Sequence, residues 1–333
     1  APSCVQGARE MKRIAVLTSG GDAPGMNAAI RAVTRVAIAR GLSVLGIERG
    51  YTGLLEDRTR ELDLRAVGGI IQHGGTVLGT ARATAFLGAE GRERARQTLA
   101  RHGVDGLVVI GGEGSLRGAL ALHREGFPVV GIPATIDNDI ATTDMAIGVD
   151  TALNTALEAI DRIRDTASAH NRAFLVEVMG RHSGYLALAA AMASGAEMVV
   201  VPEVELDPAS VIRELHRAYA RGKPHFIVVV AEGARWRGVE LYNYLRESPE
   251  GQTFEVRLTV LGHVQRGGSP SAADRLLATR LGAGAVDELL AGRYGRLVGT
   301  AGGELVATEL DVALSLTRHL DVRLYRLAGL VTG

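Results

Sequence analysis

At 333 residues the chain is long for one core and suggests roughly two domains, with 47% apolar residues to fill them. The 37 basic and 37 acidic residues cancel, which excludes a global pull toward nucleic acid or an anionic membrane and leaves any anion site to be local. Cys4 is the only cysteine, excluding an internal disulfide and a cysteine metal cluster, and no apolar run approaches the ~18 residues of a membrane span. With no signal peptide visible either, a reducing cytoplasm is the expected compartment.

Residues 1–10 carry no strand or helix pattern and read as a loose extension or a cloning remnant. Residues 13–18 read as a buried strand that runs into Ser19-Gly20-Gly21-Asp22-Ala23-Pro24-Gly25-Met26-Asn27 and a helix over 28–39. A glycine turn feeding a helix leaves backbone N–H groups free to cradle phosphate. The turn is neither GxGxxG nor GxxxxGK[ST], which argues against both a standard dinucleotide fingerprint and a P-loop. A second strand covers 43–47, with a turn at 50–53. Residues 73–82 read as a glycine-flanked strand ending in Arg82, and 90–102 as a polar outer helix.

The apolar strand 106–110 ends in Gly111-Gly112-Glu113-Gly114-Ser115 before a helix over 116–124. An acid at a phosphate-cradling turn makes sense with a cation between it and the phosphates, and Mg²⁺ held by few carboxylates plus nucleotide oxygens is the natural candidate. Strand 129–132 then leads into Pro133-Ala134-Thr135-Ile136-Asp137-Asn138-Asp139, two carboxylates and a hydroxyl at a strand's carboxyl end, where open α/β sheets place their ligands. One carboxylate suits proton abstraction and the other metal binding, although Asp-Asn-Asp also serves plain turns.

A helix over 150–166, with Leu153, Leu157, Ile160 and Ile163 on one face, would carry the chain into a second series of α/β units. Its strands are read at 174–179, 198–201, 226–231 and 254–261, and its helices at 185–193 and 208–221. A helix over 272–290 and a strand over 297–300 would return to the first domain. Arg172, Met179-Gly180-Arg181, Glu232, Arg257, His263 and Arg266 would converge on one cleft if these strand ends face it. Arginine forks, a carboxylate and an imidazole describe a sugar-phosphate pocket.

Five segments in order, TSGGDAPGMNAAIRA (18–32), GGEGS (111–115), TIDND (135–139), EVMGRHSGY (177–185) and LGHVQRGGSP (261–270), resemble the motifs of bacterial ATP-dependent 6-phosphofructokinases. The resemblance runs from about Met11 to at least Thr300. It implies two three-layer α/β/α domains with largely parallel central sheets and the active site in the cleft between them. The larger, ATP-binding domain would hold 11–147 and about 265–311, and the smaller, sugar-phosphate domain 148–264 and about 312–333. It implies a cytoplasmic homotetramer that phosphorylates the 1-hydroxyl of fructose 6-phosphate from MgATP, a committed step of glycolysis.

On this resemblance Asp137 is the base, with Thr135 beside it, while the Gly21 N–H, Arg82 and Arg181 hold the transferring phosphoryl. Gly21, Arg82 and Ala83, with Gly112, Glu113, Gly114 and Ser115, would line the ATP site, and Glu113 and Asp139 would serve Mg²⁺. Thr135, Ile136 and Asp137, with Met179, Gly180 and Arg181, would meet the sugar phosphate together with Glu232, His263, Val264, Gln265 and Arg266. Arg172 and Arg257 would reach in from a neighbouring subunit.

The resemblance also implies an effector site for ADP, GDP or phosphoenolpyruvate, matched by Arg31, Arg35, Arg164, Arg221 and Lys223, with Gly195 and Glu197 near a metal. Pro224 and Leu64 stand where the family carries basic residues, and Glu113 where it more often carries aspartate. Glycine at 114 and alanine at 134 leave room for the α-phosphate of ATP, whereas pyrophosphate-using relatives carry aspartate and lysine there. A pyrophosphate-dependent enzyme, a dinucleotide oxidoreductase and a non-catalytic sugar-phosphate sensor are the competing readings.

Overall fold

The structure, a computed structural model, describes residues 11–81, 83–170 and 172–331. In chain order its elements begin with β1 (Arg13–Ser19), α1 (Met26–Ala39), β2 (Ser43–Ile47), α2 (Gly50–Glu56), β3 (Thr59–Leu62), α3 (Ala89–Arg101), β4 (Gly106–Gly111), α4 (Glu113–Arg124) and β5 (Val129–Pro133). Next come α5 (Val149–His170), β6 (Ala173–Val178), α6 (Tyr185–Ser194), β7 (Met198–Val200), α7 (Pro208–Ala220), β8 (Phe226–Ala231), α8 (Gly238–Glu247) and β9 (Val256–Val260). The last are α9 (Ala272–Leu290), β10 (Arg296–Ala301), β11 (Glu304–Glu309), α10 (Leu310–Ser315) and α11 (Val322–Val331).

The chain divides into two compact units of mixed α/β structure. The first takes in the chain up to Ala134, Ile140–Ile147 and Ala272–Leu316, and the second Thr135–Asp139, Gly148–Ser271 and the chain from Thr317. Thr135–Asp139, expected with the larger domain, therefore packs with the second unit, and the later changes of unit fall at 271/272 and 316/317 rather than near 264/265 and 311/312.

In the first unit the described sheet runs β11-β10-β5-β4-β1-β2-β3, with β10–β11 and β2–β3 antiparallel and the rest parallel. Its central strands are apolar on both faces, as parallel strands covered on both sides must be: β4 reads GLVVIG and is buried throughout. Alternation decides which side chain meets which layer. Ala15, Leu17, Leu107 and Val109 join a core with Leu54, Phe86, Leu99 and Leu116 from α2, the 84–87 turn, α3 and α4. Ile14, Val16, Val108 and Ile110 are equally buried outside that cluster, and α1 and α9 pack on the sheet and on each other. Gly282 allows that close approach, since a Cβ there would lie 2.7 Å from the Ala32 Cβ.

In the second unit four parallel strands run β7-β8-β6-β9. Phe226, Val228 and Val230 pack with Val211 and Leu215 of α7 and Leu241 and Leu245 of α8. α7 starts where Asp207 accepts the Ala209 N–H at 3.1 Å and Pro208 opens the first turn, two features that favour a helix start. On α5 the fully buried side chains are Val149, Ala152, Ala156, Ile160 and Ala167, whereas Leu153, Leu157 and Ile163 are half-buried. Small residues bring this helix close to its neighbours, so the larger apolar ones flank the contact.

Two local expectations are corrected. Residues 73–81 form no strand, and the segment after β2 is not a bare turn but α2 followed by β3, which returns antiparallel to β2. α4 also begins at Glu113, earlier than 116, which puts the acid in its first turn.

Candidate active site

In the first unit β1 and β4 lie side by side with Ser19 opposite Gly111, and β5 follows with Pro133 opposite Gly111. The chain passes from β1 to β2 on one side and later to β4 on the other, so the two glycine turns share the switch point where α/β sheets bind ligands. Glycine is required at this junction. A Cβ on Gly111 would lie 2.6 Å from the Ser19 carbonyl oxygen, and Gly20 has φ +82°. α4 has no side-chain cap at Gly112, so N–H groups at its start are open to an anion with the helix's positive end behind them.

Ser115 is buried there, its carbonyl accepting the Tyr51 hydroxyl at 2.6 Å. Gly21, Gly112, Glu113, Gly114 and Ser115 are thus gathered around one edge of the sheet. Glu113 Oε1 accepts Arg117 Nε at 2.9 Å and Nη2 at 2.5 Å, and Arg117 also donates to the Leu314 carbonyl.

The 73–81 segment is held to this edge by residues the sequence reading assigned no role. Asn27 Nδ2 donates to the carbonyls of His73 and Gly74 at 3.0 and 3.2 Å, and its Oδ1 accepts the Val77 N–H at 2.7 Å. Thr18 Oγ1 donates to the Gly79 carbonyl at 3.0 Å. Arg82 lies outside the described residues; Ala83, next to it, is half-buried and its carbonyl accepts the Phe86 N–H. The signal for Asn27 was its place inside the 18–32 motif.

The second unit holds the acidic cluster. Thr135, Ile136, Asp137 and Asn138 are buried, and the Asp137 N–H donates to Thr135 Oγ1 at 3.1 Å. Asn138 takes φ 47°, a left-handed turn that asparagine tolerates and that lets Asp139 follow Asp137 closely. Asp137 is 3% exposed; its Oδ2 lies 3.5 Å from Arg181 Nε, and its Oδ1 is buried with no hydrogen-bond partner. Burial, and then the charge of Asp139, push the Asp137 carboxyl above the usual aspartate range, while Arg181 and Arg266 pull it back. A deeply buried carboxylate oxygen left without a donor is suited to receive a proton.

Met179, Gly180 and Arg181 leave the carboxyl end of β6, Glu232 that of β8, and Gly262–Arg266 that of β9, three strands in one parallel array. Glu232 Oε1 accepts the N–H groups of Gly180 and Arg181 at 3.1 and 2.8 Å. Gly180 has φ +142° and Arg181 φ 50°, so the loop turns sharply enough to aim the guanidinium back at Asp137. Gly233, not singled out in the sequence, lies beneath: a Cβ there would fall 1.6 Å from the Arg181 carbonyl oxygen. Gln265 is fully buried with Oε1 unpartnered, while His263 and Val264 are exposed and Arg266 half-buried.

Arg172 and Arg257 do not join this group. Arg172 precedes Ala173, whose partner is Val256, and Arg257 pairs with Phe174, so both sit at the amino edge of the sheet. The carboxyl edge is five residues along β6, roughly 17 Å at ~3.3 Å per residue. The expectation that these two arginines converge with Asp137 at strand carboxyl ends is therefore overturned within one chain. Both instead face Glu255.

Of the residues matched to an effector site, the second unit brings several together. Arg164 donates to the Ser194 carbonyl beside Gly195, which ends α6 with φ 66°. Glu197 lies 3.3 Å from Lys223 Nζ and accepts the Ile227 N–H at 2.8 Å. His225, absent from the sequence reading, lies 3.8 Å from Glu197, and burial lowers its pKa from the ordinary histidine value. Arg221 is exposed where α7 ends. Arg31 and Arg35 lie on α1 of the first unit.

The family model described as phosphofructokinase matches residues 13–289. A Thermotoga neapolitana protein named ATP-dependent 6-phosphofructokinase is 51% identical over 97% of this chain and 100% of its own. One of the same name from Shouchella clausii is 52% identical over 96% of this chain and 98% of its own. Among solved structures, a phosphofructokinase from Saccharomyces cerevisiae matches at TM-score 0.85 and 37% identity, over 91% of this chain and 45% of that one. A pyrophosphate-dependent phosphofructokinase from Marinobacter aquaeolei matches at TM-score 0.82 and 22% identity, over 94% and 86%, a likeness of fold alone.

Proposed function

The chain belongs to the phosphofructokinase family, and from that premise we propose that it transfers the terminal phosphoryl group of ATP to the 1-hydroxyl of fructose 6-phosphate, forming fructose 1,6-bisphosphate. The observation that carries this reading is the Asp137 Oδ1 atom, buried and unpartnered, with a guanidinium on the other carboxylate oxygen.

The sugar hydroxyl gives its proton to Asp137 as its oxygen attacks the γ-phosphorus and the bond to the β,γ-bridging oxygen breaks to release ADP, and the base's service is typically worth roughly 10²–10⁴-fold. Thr135 fixes the aspartate's backbone through the Asp137 N–H. Arg181 stabilises charge on the migrating phosphoryl, and the Gly21 N–H and Arg82 act with it. Gly112, Glu113, Gly114 and Ser115, with Ala83, cradle the nucleotide. Met179, Gly180, Glu232, His263, Val264, Gln265 and Arg266 serve the sugar phosphate, with Arg172 and Arg257 supplied by a neighbouring subunit of a homotetramer.

The chemistry of each carboxylate suits Mg²⁺. Glu113 in the first unit, one oxygen of which Arg117 holds, and Asp139 in the second would each offer a hard carboxylate oxygen, and the charge of Asp139 raises the Asp137 carboxyl, a repulsion that a cation at Asp139 would relieve. The described residues contain no cluster of three or more His, Cys, Asp or Glu that could cage a metal alone, so Mg²⁺ would need phosphate oxygens among its ligands. When bound, Mg²⁺ would draw charge off the nucleotide phosphates.

ATP is favoured over pyrophosphate as donor. A Cβ at Gly114 would meet nothing within 4 Å, so the space beside α4 is open to a nucleotide phosphate, and Ala134 supplies no positive charge for pyrophosphate. The effector residues suit a nucleoside diphosphate or phosphoenolpyruvate, and the enzyme would act in the cytoplasm. A matrix of donors and acceptors tests the reading. Turnover is expected with ATP and fructose 6-phosphate, modulated by nucleoside diphosphate; robust turnover with pyrophosphate alone overturns the choice of donor, and none with either overturns the activity.

A further inference from the structure

At the amino edge of the second sheet, one carboxylate is shared by two arginines. Glu255 Oε2 lies 2.8 Å from Arg172 Nε, and Oε1 is ion-paired with Arg257. The strands impose this arrangement: the Ala173 N–H donates to the Glu255 carbonyl at 3.1 Å, and the register that follows sets Arg257 opposite Phe174. Arg172 Nε is buried and, although only 2.8 Å from Glu255 Oε2, has no well-aligned acceptor, while the two arginines hold the Glu255 carboxyl below the usual glutamate range. A fork of donors with two positive charges is thus matched by a single negative one in imperfect geometry.

A phosphate dianion brings twice the charge and three acceptor oxygens, which suit guanidinium groups better than one carboxylate does. We propose that Glu255 is a resident stand-in for the sugar phosphate, occupying Arg172 and Arg257 until fructose 6-phosphate displaces it and so setting the concentration at which the enzyme responds. This rests on the reading, given under the proposed function, that these two arginines bind the substrate's phosphate. Glu255 itself touches neither substrate in that scheme; it acts by competition for the arginines. The pairs are half-exposed, so the energy to be overcome is modest and the exchange is reversible.

The test is Glu255→Gln in the intact protein, which keeps the side chain's shape and removes its charge. The KM for fructose 6-phosphate is expected to fall about fivefold, with the change in KM rather than kcat, as for loss of one or two exposed ion pairs. Inorganic phosphate should bind the variant more tightly than the parent by a similar factor in calorimetry. An unchanged or raised KM overturns the proposal, the latter because it would mean that Glu255 positions the arginines for substrate. Arg257→Ala separates the premise from the inference. It should raise KM and shrink the effect of adding Glu255→Gln, since only the Arg172 pair then remains to be released. If Arg257→Ala leaves KM as it was while ATP-dependent turnover persists, the arginines hold no phosphate and the proposal falls, with the activity itself intact.

Discussion

Asp137 shows how burial prepares a residue for chemistry and what that costs the fold. Its carboxyl sits above the ordinary aspartate range, so the ionised form is less welcome in the native protein than in the unfolded chain. That penalty is absent at pH values where both states are protonated and present once pH has risen through the raised native pKa. Asp137→Asn is therefore expected to lose roughly 10²–10⁴-fold in kcat with little change in KM. The same variant should melt at a higher temperature than the parent at pH 8, with the gain vanishing below the usual aspartate range. Scanning calorimetry at the two pH values, beside steady-state kinetics, checks both.

The base must be ionised to act, so activity should fall as pH drops through this raised pKa. Because the charge of Asp139 is the second cause of the rise in the free protein, Asp139→Asn should move the acid limb of the remaining kcat/KM to lower pH. A limb that stays in place would detach Asp139 from the titration. Asp137 was legible in the sequence because an acidic pair followed an apolar strand. The partnerless Oδ1 was not, since burial depends on what the rest of the fold brings around it.

Elements place these side chains, and two contacts carry much of that placement. The Arg181 loop lies directly on Gly233, so Gly233→Ala must push the loop away from β8 and draw the guanidinium off Asp137. A fall of at least about tenfold in kcat/KM is expected, since positioning errors near 1 Å can cost about a hundredfold. Normal kinetics in this variant would show that the loop yields harmlessly. In the first unit Asn27→Ala would leave three backbone groups of residues 73–77 without their partner, at about 1–3 kcal/mol for each one kept from water. KM for ATP should rise with KM for fructose 6-phosphate little moved, and amide exchange over 73–81 should quicken.

Strands and helices with strong patterns, such as β4, β8 and α9, were read close to their final limits because parallel strands covered on both faces are apolar throughout. The misreadings share a cause. The glycine-rich stretch 73–81 takes its shape from Asn27 and Thr18 rather than from its own pattern, and α2 and β3 are short pieces fixed by packing and by pairing with β2. The convergence of Arg172 and Arg257 failed for a different reason: sequence gives the order of residues along a strand, but only the register shows that these two lie at its amino edge.

At the scale of the whole molecule, both compact units are assembled from separated pieces of chain. A chain ended after residue 147 would lack α9 and β10. The face of α1 that meets α9 would then be bare, and β5 would become an open edge strand. Such a fragment is expected to aggregate or stay expanded, although it contains both glycine turns and the whole nucleotide side of the proposed site. Size-exclusion chromatography and circular dichroism decide this, and a compact, soluble fragment would show that α9 and β10 are dispensable.

The threading has a temporal consequence as well. Thr135–Asp139 emerges from the ribosome ahead of every side chain that tunes it from later in the chain, since Arg181, Glu232 and Arg266 all follow. Competence should accordingly be the last property a nascent or refolding molecule acquires. Trp236, the sole tryptophan, packs against Tyr244 in the second core, so its fluorescence should recover before catalysis does, and the lag between the two signals would time the maturation of the aspartate.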